Sequence, residues 1–340
     1  MIRPERTVTY VERAPPIVSD YHQIWAVSDG RAGNARQAEA LAAALAGDAR
    51  SLHLDARPPW RWLAPRWLPG AGAAFGPAFA AALRHPPALA IGCGRQAALA
   101  TRLAGRAGAR TVQILDPRLD PRHWDLVVVP EHDTLRGENV LVTRGSLHPV
   151  DDDWLAAARH ASPAIGALPG PRTGVLLGGD SRHGRFDVAA FSALAERLDA
   201  LVAGDGGSLL LVGSRRTPMA VRAALRARYR DHAGLVWADA DDGPNPYPAV
   251  LAWADRLVCS ADSVNMLSEA CATRVPVFAF EPQRVDGRPR QFVEGLIDDG
   301  RVQVLGEALT PASAVTPLRE TARIAAEIRT RLLTGVSPRR

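Results

Sequence analysis

The segment from Leu257 to Phe280, LVCSADSVNMLSEACATRVPVFAF, leaves this chain few ways to fold. Leu257-Val258-Cys259 and Val275-Pro276-Val277-Phe278-Ala279-Phe280 are short apolar runs, as in strands buried on both faces, and Ser263 to Cys271 between them has helical spacing. Strand, helix and strand in this order form a βαβ unit, which belongs to a parallel sheet covered by helices. Such sheets bind ligands outside the carboxyl ends of their strands. Ser260, Asp262 and Ser263 stand at that position, small polar residues beside the free backbone N–H groups of a helix start. Glu269 lies further along the helix, where a carboxylate lining a cleft can accept two hydroxyls of a ribose or another sugar. Met266, Cys259 and Cys271 are expected in the core.

The same alternation continues along the chain. Strand Gln23 to Ser28, loop Asp29 to Asn34 and a helix from about Ala35 to Leu45 make the first unit. Ala88 to Ile91, Thr111 to Leu115, Leu126 to Val129 and Val140 to Thr143 read as further strands, with a helix over Gln96 to Leu103. Pro163, Pro169, Gly170 and Pro171 then break any regular element, which places a domain boundary near residue 165. The second half begins afresh with strand Thr173 to Leu177, helix Val188 to Val202, strand Ser208 to Val212 and helix Pro218 to Tyr229. At 340 residues the chain exceeds the roughly 250 to 300 at which single cores stop growing. The expectation is a tail over 1–20, a Rossmann-like domain over 21–165 and a second over 166–330.

Three cysteines with no metal-ligand or disulfide spacing suit a reducing compartment, and no apolar run is long enough to span a bilayer. Residues 1 to 20 lack a signal-peptide core, so a cytoplasmic protein is expected. The net charge of +5 is carried by arginine, which fits an anionic ligand or membrane surface, although a GC-rich genome also raises arginine. An excess of this size does not specify nucleic acid. Pro58-Pro59-Trp60-Arg61-Trp62 and Trp67 form a segment that either packs its rings on the domain or makes peripheral contact with the inner membrane surface.

Several loops have the composition of ligand sites. Gly178-Gly179-Asp180-Ser181-Arg182-His183-Gly184 follows a strand and opens toward a helix; its glycines let N–H groups approach a diphosphate, with Ser181, Arg182 and His183 adding donors, or they make a plain tight turn. Gly213-Ser214-Arg215-Arg216-Thr217 follows the next strand, and its arginines either neutralise phosphate or face solvent. Thr217-Pro218 also reads as a helix cap followed by proline at the first helical position. Gly92-Cys93-Gly94-Arg95-Gln96-Ala97 fits Gly-x-Gly-x-x-Ala after a strand, and Asp116 ends the following strand, which makes a nicotinamide-dependent enzyme an alternative. Glu131-His132-Asp133 point in different directions and are not expected to chelate a metal.

Ser-Ala-Asp-Ser-x-x-Met-x-Ser-Glu-Ala-Cys at 260–271 resembles the matching segment of the bacterial members of the mitochondrial fission ELM1 family, regarded as GT-B glycosyltransferases. Tyr21 to Asn34 with Gln37, Asp125 to Asp133, Asn139 to His148 and Leu176 to Ser181 resemble further motifs of that family, in the same order. The resemblance implies a GT-B-like α/β fold, two Rossmann-like parallel-sheet domains facing across a cleft, and transfer of sugar from a nucleotide-sugar donor to an envelope glycan or lipid-linked acceptor. Donor contacts would be Gly178, Gly179, Ser181, Arg182, His183, Gly213, Ser214, Arg215, Ser260, Asp262, Ser263 and Glu269. Asp29 would be the general base, unless it only caps the helix after it, with Gly30, Arg31, Gly33, Asn34, Gln37, Gly92, Gly94 and Arg95 on the acceptor side. No metal and no cofactor are implied, nor a nucleic-acid partner. Many retaining GT-B enzymes carry two glutamates eight positions apart; here Asp262 precedes Glu269 by seven, which leaves the stereochemistry open. The plant relative points to another reading, a non-enzymatic adaptor.

Overall fold

The computed structural model describes residues 24–45, 49–232, 234–306 and 315–333. The tail expected over 1–20 lies outside them. Strands of the first half are β1 (Ile24–Ser28), β2 (Ala49–His53), β3 (Leu89–Cys93), β4 (Arg110–Ile114), β5 (Leu126–Pro130) and β6 (Val140–Thr143). Those of the second are β7 (Arg172–Leu176), β8 (Ser208–Val212), β9 (Gly234–Trp237), β10 (Arg256–Ser260), β11 (Val277–Phe280) and β12 (Gln303–Val304). The helices are α1 (Ala32–Leu45), α2 (Trp60–Leu63), α3 (Gly76–Ala82), α4 (Arg95–Arg106), α5 (Asp152–Ala161) and α6 (Pro163–Gly166), then α7 (Val188–Asp205), α8 (Met219–Arg228), α9 (Tyr247–Trp253), α10 (Val264–Cys271), α11 (Gly287–Asp298) and α12 (Thr321–Ile328).

Among the described residues the strands form two six-stranded parallel sheets, in the orders β2-β1-β3-β4-β5-β6 and β12-β11-β10-β7-β8-β9. The inner strands of both sheets, such as β1, β3, β5, β8 and β11, are buried along their whole length, which explains their uninterrupted apolar runs, whereas the edge strand β2 is largely exposed. In β10, Leu257 and Cys259 enter the core on one face while Val258 enters the core on the other. The βαβ unit read from the sequence is therefore β10-α10-β11, with β10 flanked by β11 and β7. Cys93, Cys259 and Cys271 are buried and free, and burial pushes the Cys271 thiol up to about 12.

Helices settle where their apolar faces find cover. Val150 and Leu155, before the proline-rich stretch, already belong to the second half's core, where α5 packs on α9. At the other end Ile324, Ala325 and Ile328 of α12 join Ile24, Ala38 and Leu41 in the first half's core. The chain thus crosses between the halves twice. Arg159 fastens the first crossing by donating to the Ala252 carbonyl at 2.7 Å. The second is held by Thr321, which accepts the His148 N–H at 3.0 Å and donates to the His148 carbonyl at 2.7 Å.

β3 runs through Cys93, two residues beyond its expected end. Gly92 therefore lies inside the strand, where an added Cβ would stand 2.7 Å from the Thr101 methyl and 3.1 Å from the Ala97 carbonyl oxygen. It lets α4 lie close on the sheet, and that packing role replaces the acceptor contact expected for it.

Candidate functional site

Loops from the carboxyl ends of both sheets meet edge to edge. Ser146, after β6, donates its N–H to Ser268 Oγ of α10 at 3.0 Å. Asp133, after β5, pairs with Arg288 of α11 at 2.8 Å, and the His132 ring stands edge-on to Phe292 at 5.9 Å between centroids. Gly33 lies directly under the Asn265 side chain, whose amide nitrogen stands where a Cβ would be and would have to turn aside for one. Between these contacts lies a cavity of about 250 Å³. Asn34, Gln37, Leu115, His132 and Ser146 line it from the first half, and His183, Val264, Asn265 and Arg288 from the second. Leu115 holds a left-handed backbone, φ 71°, while its N–H donates to the Val128 carbonyl at 2.8 Å. Strain of about 1 to 3 kcal/mol at such a residue is kept only where surrounding contacts enforce it.

On the second-half wall Asp262 is a clasp. Its Oδ2 accepts the Gly179 N–H at 3.0 Å and an Arg216 N–H at 2.7 Å, while Ser260 Oγ accepts the Gly178 N–H at 2.7 Å. The two glycine amides expected to face a diphosphate are thus spent on the loop after β10. A Cβ on Gly178 would collide with the Asp262 carboxylate, and one on Gly179 with the Arg216 carbonyl. The glycines are needed because three loops pack backbone against backbone. Ser214 joins them by donating to the Gly178 carbonyl at 2.9 Å and receiving support from Thr217 Oγ1, which accepts the Ser214 N–H at 2.8 Å. Gly213 lies buried against Ala238 at the end of β8. Both arginines of this loop are exposed, and it is Arg216 that reaches the clasp rather than Arg215, which was expected as the donor contact. Ser181 closes its own loop by accepting the His183 N–H at 3.0 Å. Arg182 donates to His183 Nε2 at 2.8 Å, which fixes that nitrogen as an acceptor.

Ser263 caps α10, its hydroxyl accepting the Met266 N–H at 3.4 Å. The N–H groups of Val264 and Asn265 precede the first intrahelical acceptor, and both residues border the cavity. Glu269, one face of the helix away, is not open to it. Its carboxylate is buried, accepts the Tyr247 hydroxyl at 2.5 Å and pairs with Arg36 of α1. Burial raises the Glu269 pKa, against the opposing influence of Arg36 and Tyr247. The Arg36 guanidinium lies 5.7 Å from the Tyr247 ring centroid and 5.8 Å from that of Trp154. Glu269, expected as an open sugar ligand, is in this arrangement the centre of a bridge between the halves.

On the first-half wall Gly30, with φ 74°, turns the chain from β1 into α1, a conformation that favours glycine. Asp29 Oδ1 accepts the Arg31 N–H at 3.2 Å and an Asn34 amide N–H at 3.0 Å, while Oδ2 lies 3.5 Å from Arg31 Nε. The carboxylate thereby holds the start of α1. Gln37 is buried and donates to the Gly33 carbonyl at 3.3 Å. Gly94 packs against Asn34, and Arg95 points away toward the Arg61 and Trp62 carbonyls. His132, set aside in the sequence with its acidic neighbours, is instead brought to the cavity by its place directly after β5. Burial lowers its pKa, with Asp133 opposing and Arg288 reinforcing the shift. Among the described residues no group of three His, Cys, Asp or Glu side chains is placed to hold a metal.

Two parallel-sheet bodies with a cavity between their carboxyl edges, and a last helix returning to the first body, define a GT-B-like fold. Solved structures of similar fold include Os79 of O. sativa in complex with UDP, 13% identical with TM-score 0.51 and 90% of each chain covered. Another is UDP-GlcNAc 2-epimerase of Methanocaldococcus jannaschii, 11% identical with TM-score 0.54 and 94% of each chain covered. The sequence profile of the mitochondrial fission ELM1 family matches residues 32–332, and the chain belongs to that family. It is 29% identical to the Arabidopsis thaliana mitochondrial fission protein ELM1 over 279 residues, 72% of this chain and 64% of the plant protein. It is 24% identical to the uncharacterized protein RP120 of Rickettsia prowazekii, with 89% of this chain and 96% of that one covered.

Proposed function

We propose that the chain is a glycosyltransferase that moves a sugar from a nucleotide-sugar donor to a hydroxyl of a glycan or lipid-linked acceptor. The observation that carries this reading is the α10 N-terminus opening into a cavity between the carboxyl edges of two parallel sheets. The like-folded structures support the donor class, since one was solved with UDP and the other is named for UDP-GlcNAc. In this reading the donor diphosphate lies at Val264 and Asn265, beside the loops that Asp262 clasps. The acceptor lies against Asn34, Gln37 and His132.

Transfer then forms a bond from the acceptor oxygen to the anomeric carbon and breaks the bond from that carbon to the diphosphate. The acceptor proton goes to His132, which burial keeps neutral and able to accept it, while Asp29 is occupied in holding α1. Charge developing on the departing diphosphate is met by the α10 amides, Arg182 and Arg216. Calorimetric titration with UDP, GDP, ADP and CDP and their sugars tests the reading, and at least one should bind. If none binds, the transferase falls and a non-enzymatic adaptor takes its place, a reading compatible with the Arabidopsis relative's name as a mitochondrial fission protein. A nicotinamide enzyme is disfavoured because Asp116 is already engaged, accepting the Arg118 N–H at 2.7 Å.

A further inference from the structure

Between Ala56 and Leu115 the chain has eight arginines and no aspartate or glutamate, where its composition would place about six acids. The fold gathers part of this stretch on one flank of the first sheet. Arg95, Arg102 and Arg106 follow one another along a single face of α4, and each reaches the tryptophan segment in turn. Arg95 donates to the Arg61 carbonyl at 3.1 Å, Arg102 to the Pro65 carbonyl at 2.7 Å, and the Arg106 guanidinium sits 4.3 Å from the Trp67 ring centroid. Trp62 is 69% exposed and Trp67 39%, two of the few large apolar side chains left in solvent among the described residues.

Arginines of the second half are mostly paired with carboxylates, as Arg172, Arg222 and Arg256 illustrate. From residue 57 to 106 the ion pairs of the described residues include only Arg61 with Asp55, at 3.8 Å. Apart from Arg61, the flank's arginines therefore carry a positive charge unpaired with carboxylates among the described residues, around two exposed indoles. Arginines that hold the segment in place also present its rings already ordered, so little further entropy is lost on contact.

We propose that this flank docks on the surface of an anionic bilayer. Arginine near such a surface contributes about 1 kcal/mol per residue, and tryptophan favours the headgroup layer, where an apolar ring meets water. A platform for single-stranded nucleic acid would offer successive rings along a groove, whereas Trp62 makes no ring contact among the described residues. The flank borders the cleft: Arg95 follows Gly94, which packs on the cavity residue Asn34. Docking would bring the acceptor wall close to the lipid headgroups. The surface stands whether or not the cleft transfers sugar.

Co-sedimentation of the full chain with phosphatidylcholine vesicles, with and without phosphatidylglycerol, tests it. Binding is expected only with phosphatidylglycerol and weakens with salt. Arg66, beside Trp67, and Arg84, just after α3, are exposed arginines of the same acid-free stretch with no carboxylate pair among the described residues, and their joint substitution Arg66→Gln and Arg84→Gln should lower partitioning roughly thirtyfold. Trp62→Ser should lower it several-fold at low and high salt alike. None of these side chains lines the cavity, so nucleotide titration of the variants should match the parent chain. Absence of binding, equal binding to phosphatidylcholine alone or unchanged binding in either variant overturns the proposal. Competition by a single-stranded oligoribonucleotide for the same arginines would reassign the flank to nucleic acid.

Discussion

At the residue scale the structure redistributes roles among side chains that the sequence had already brought forward. Glu269 was legible as a polar residue near a ligand-facing loop, but Arg36, which occupies it, comes from a helix over two hundred residues away and carries no local signal. Removing a carboxylate from a buried pair leaves its partner uncompensated. Glu269→Ala should therefore cost about 2 to 4 kcal/mol, with Glu269→Gln costing less because the Tyr247 hydroxyl keeps an acceptor. Denaturant midpoints check this, and an Ala variant as stable as the parent would remove the bridge from the stability argument. His132 is legible by position, but in sequence it stands between two acids and suggests a catalytic or metal cluster that adjacent residues pointing apart do not form. His132→Gln should lower turnover about 100-fold or more with nucleotide affinity unchanged, and Asp29→Asn should lower it less. The reverse order in turnover would return the base to Asp29.

At the element scale, parallel strands were readable because burial on both faces writes an uninterrupted apolar run. Strand ends were less so: Gly92 and Cys93 look like the start of a loop, yet the strand continues through them because α4 needs a glycine beneath it. The Gly178-Gly179 pair suggests in sequence either backbone approach to a ligand or a plain tight turn, and close packing of the loops after β7, β8 and β10 gives it a third reason. That difference can be measured. Gly179→Ala forces a methyl onto the Arg216 carbonyl, a backbone atom that cannot swing aside, so the loops must separate. The expected cost is about 2 to 4 kcal/mol, together with weaker nucleotide binding. Gly33→Ala meets only the end of the Asn265 side chain and should be milder. Equal, small losses in thermal unfolding for both variants would mean that the clasp is not tightly packed.

At the scale of the whole molecule, two sheets could be anticipated from chain length and repeated strand-helix alternation, but the double crossing could not. Proline marks where elements start or stop, with Pro163 opening the short α6 instead of breaking regular structure, whereas the association of α5 and α12 depends on which apolar surface remains uncovered. His148 sits buried where the two crossings touch, its backbone bonded in both directions to Thr321. Burial lowers its pKa from an ordinary 6.5 to about 4, reinforced by the charges of Arg36 and Arg319. As pH falls through 6.5 the unfolded chain takes up this proton while the folded chain does not, so stability is full above that pH and declines toward 4. The shift corresponds to about 3 kcal/mol lost across the window. Burial of His132 acts in the same direction, whereas loss of the Asp152 pairs with Arg319 and Arg274 belongs to lower pH, because those arginines hold its carboxyl below the usual range. Urea denaturation at pH 7.5, 6 and 4.5 should follow this decline, and His148→Gln should remove most of its slope even if it lowers stability at neutral pH. An unaltered slope in that variant would mean that other groups govern the acid response of the junction.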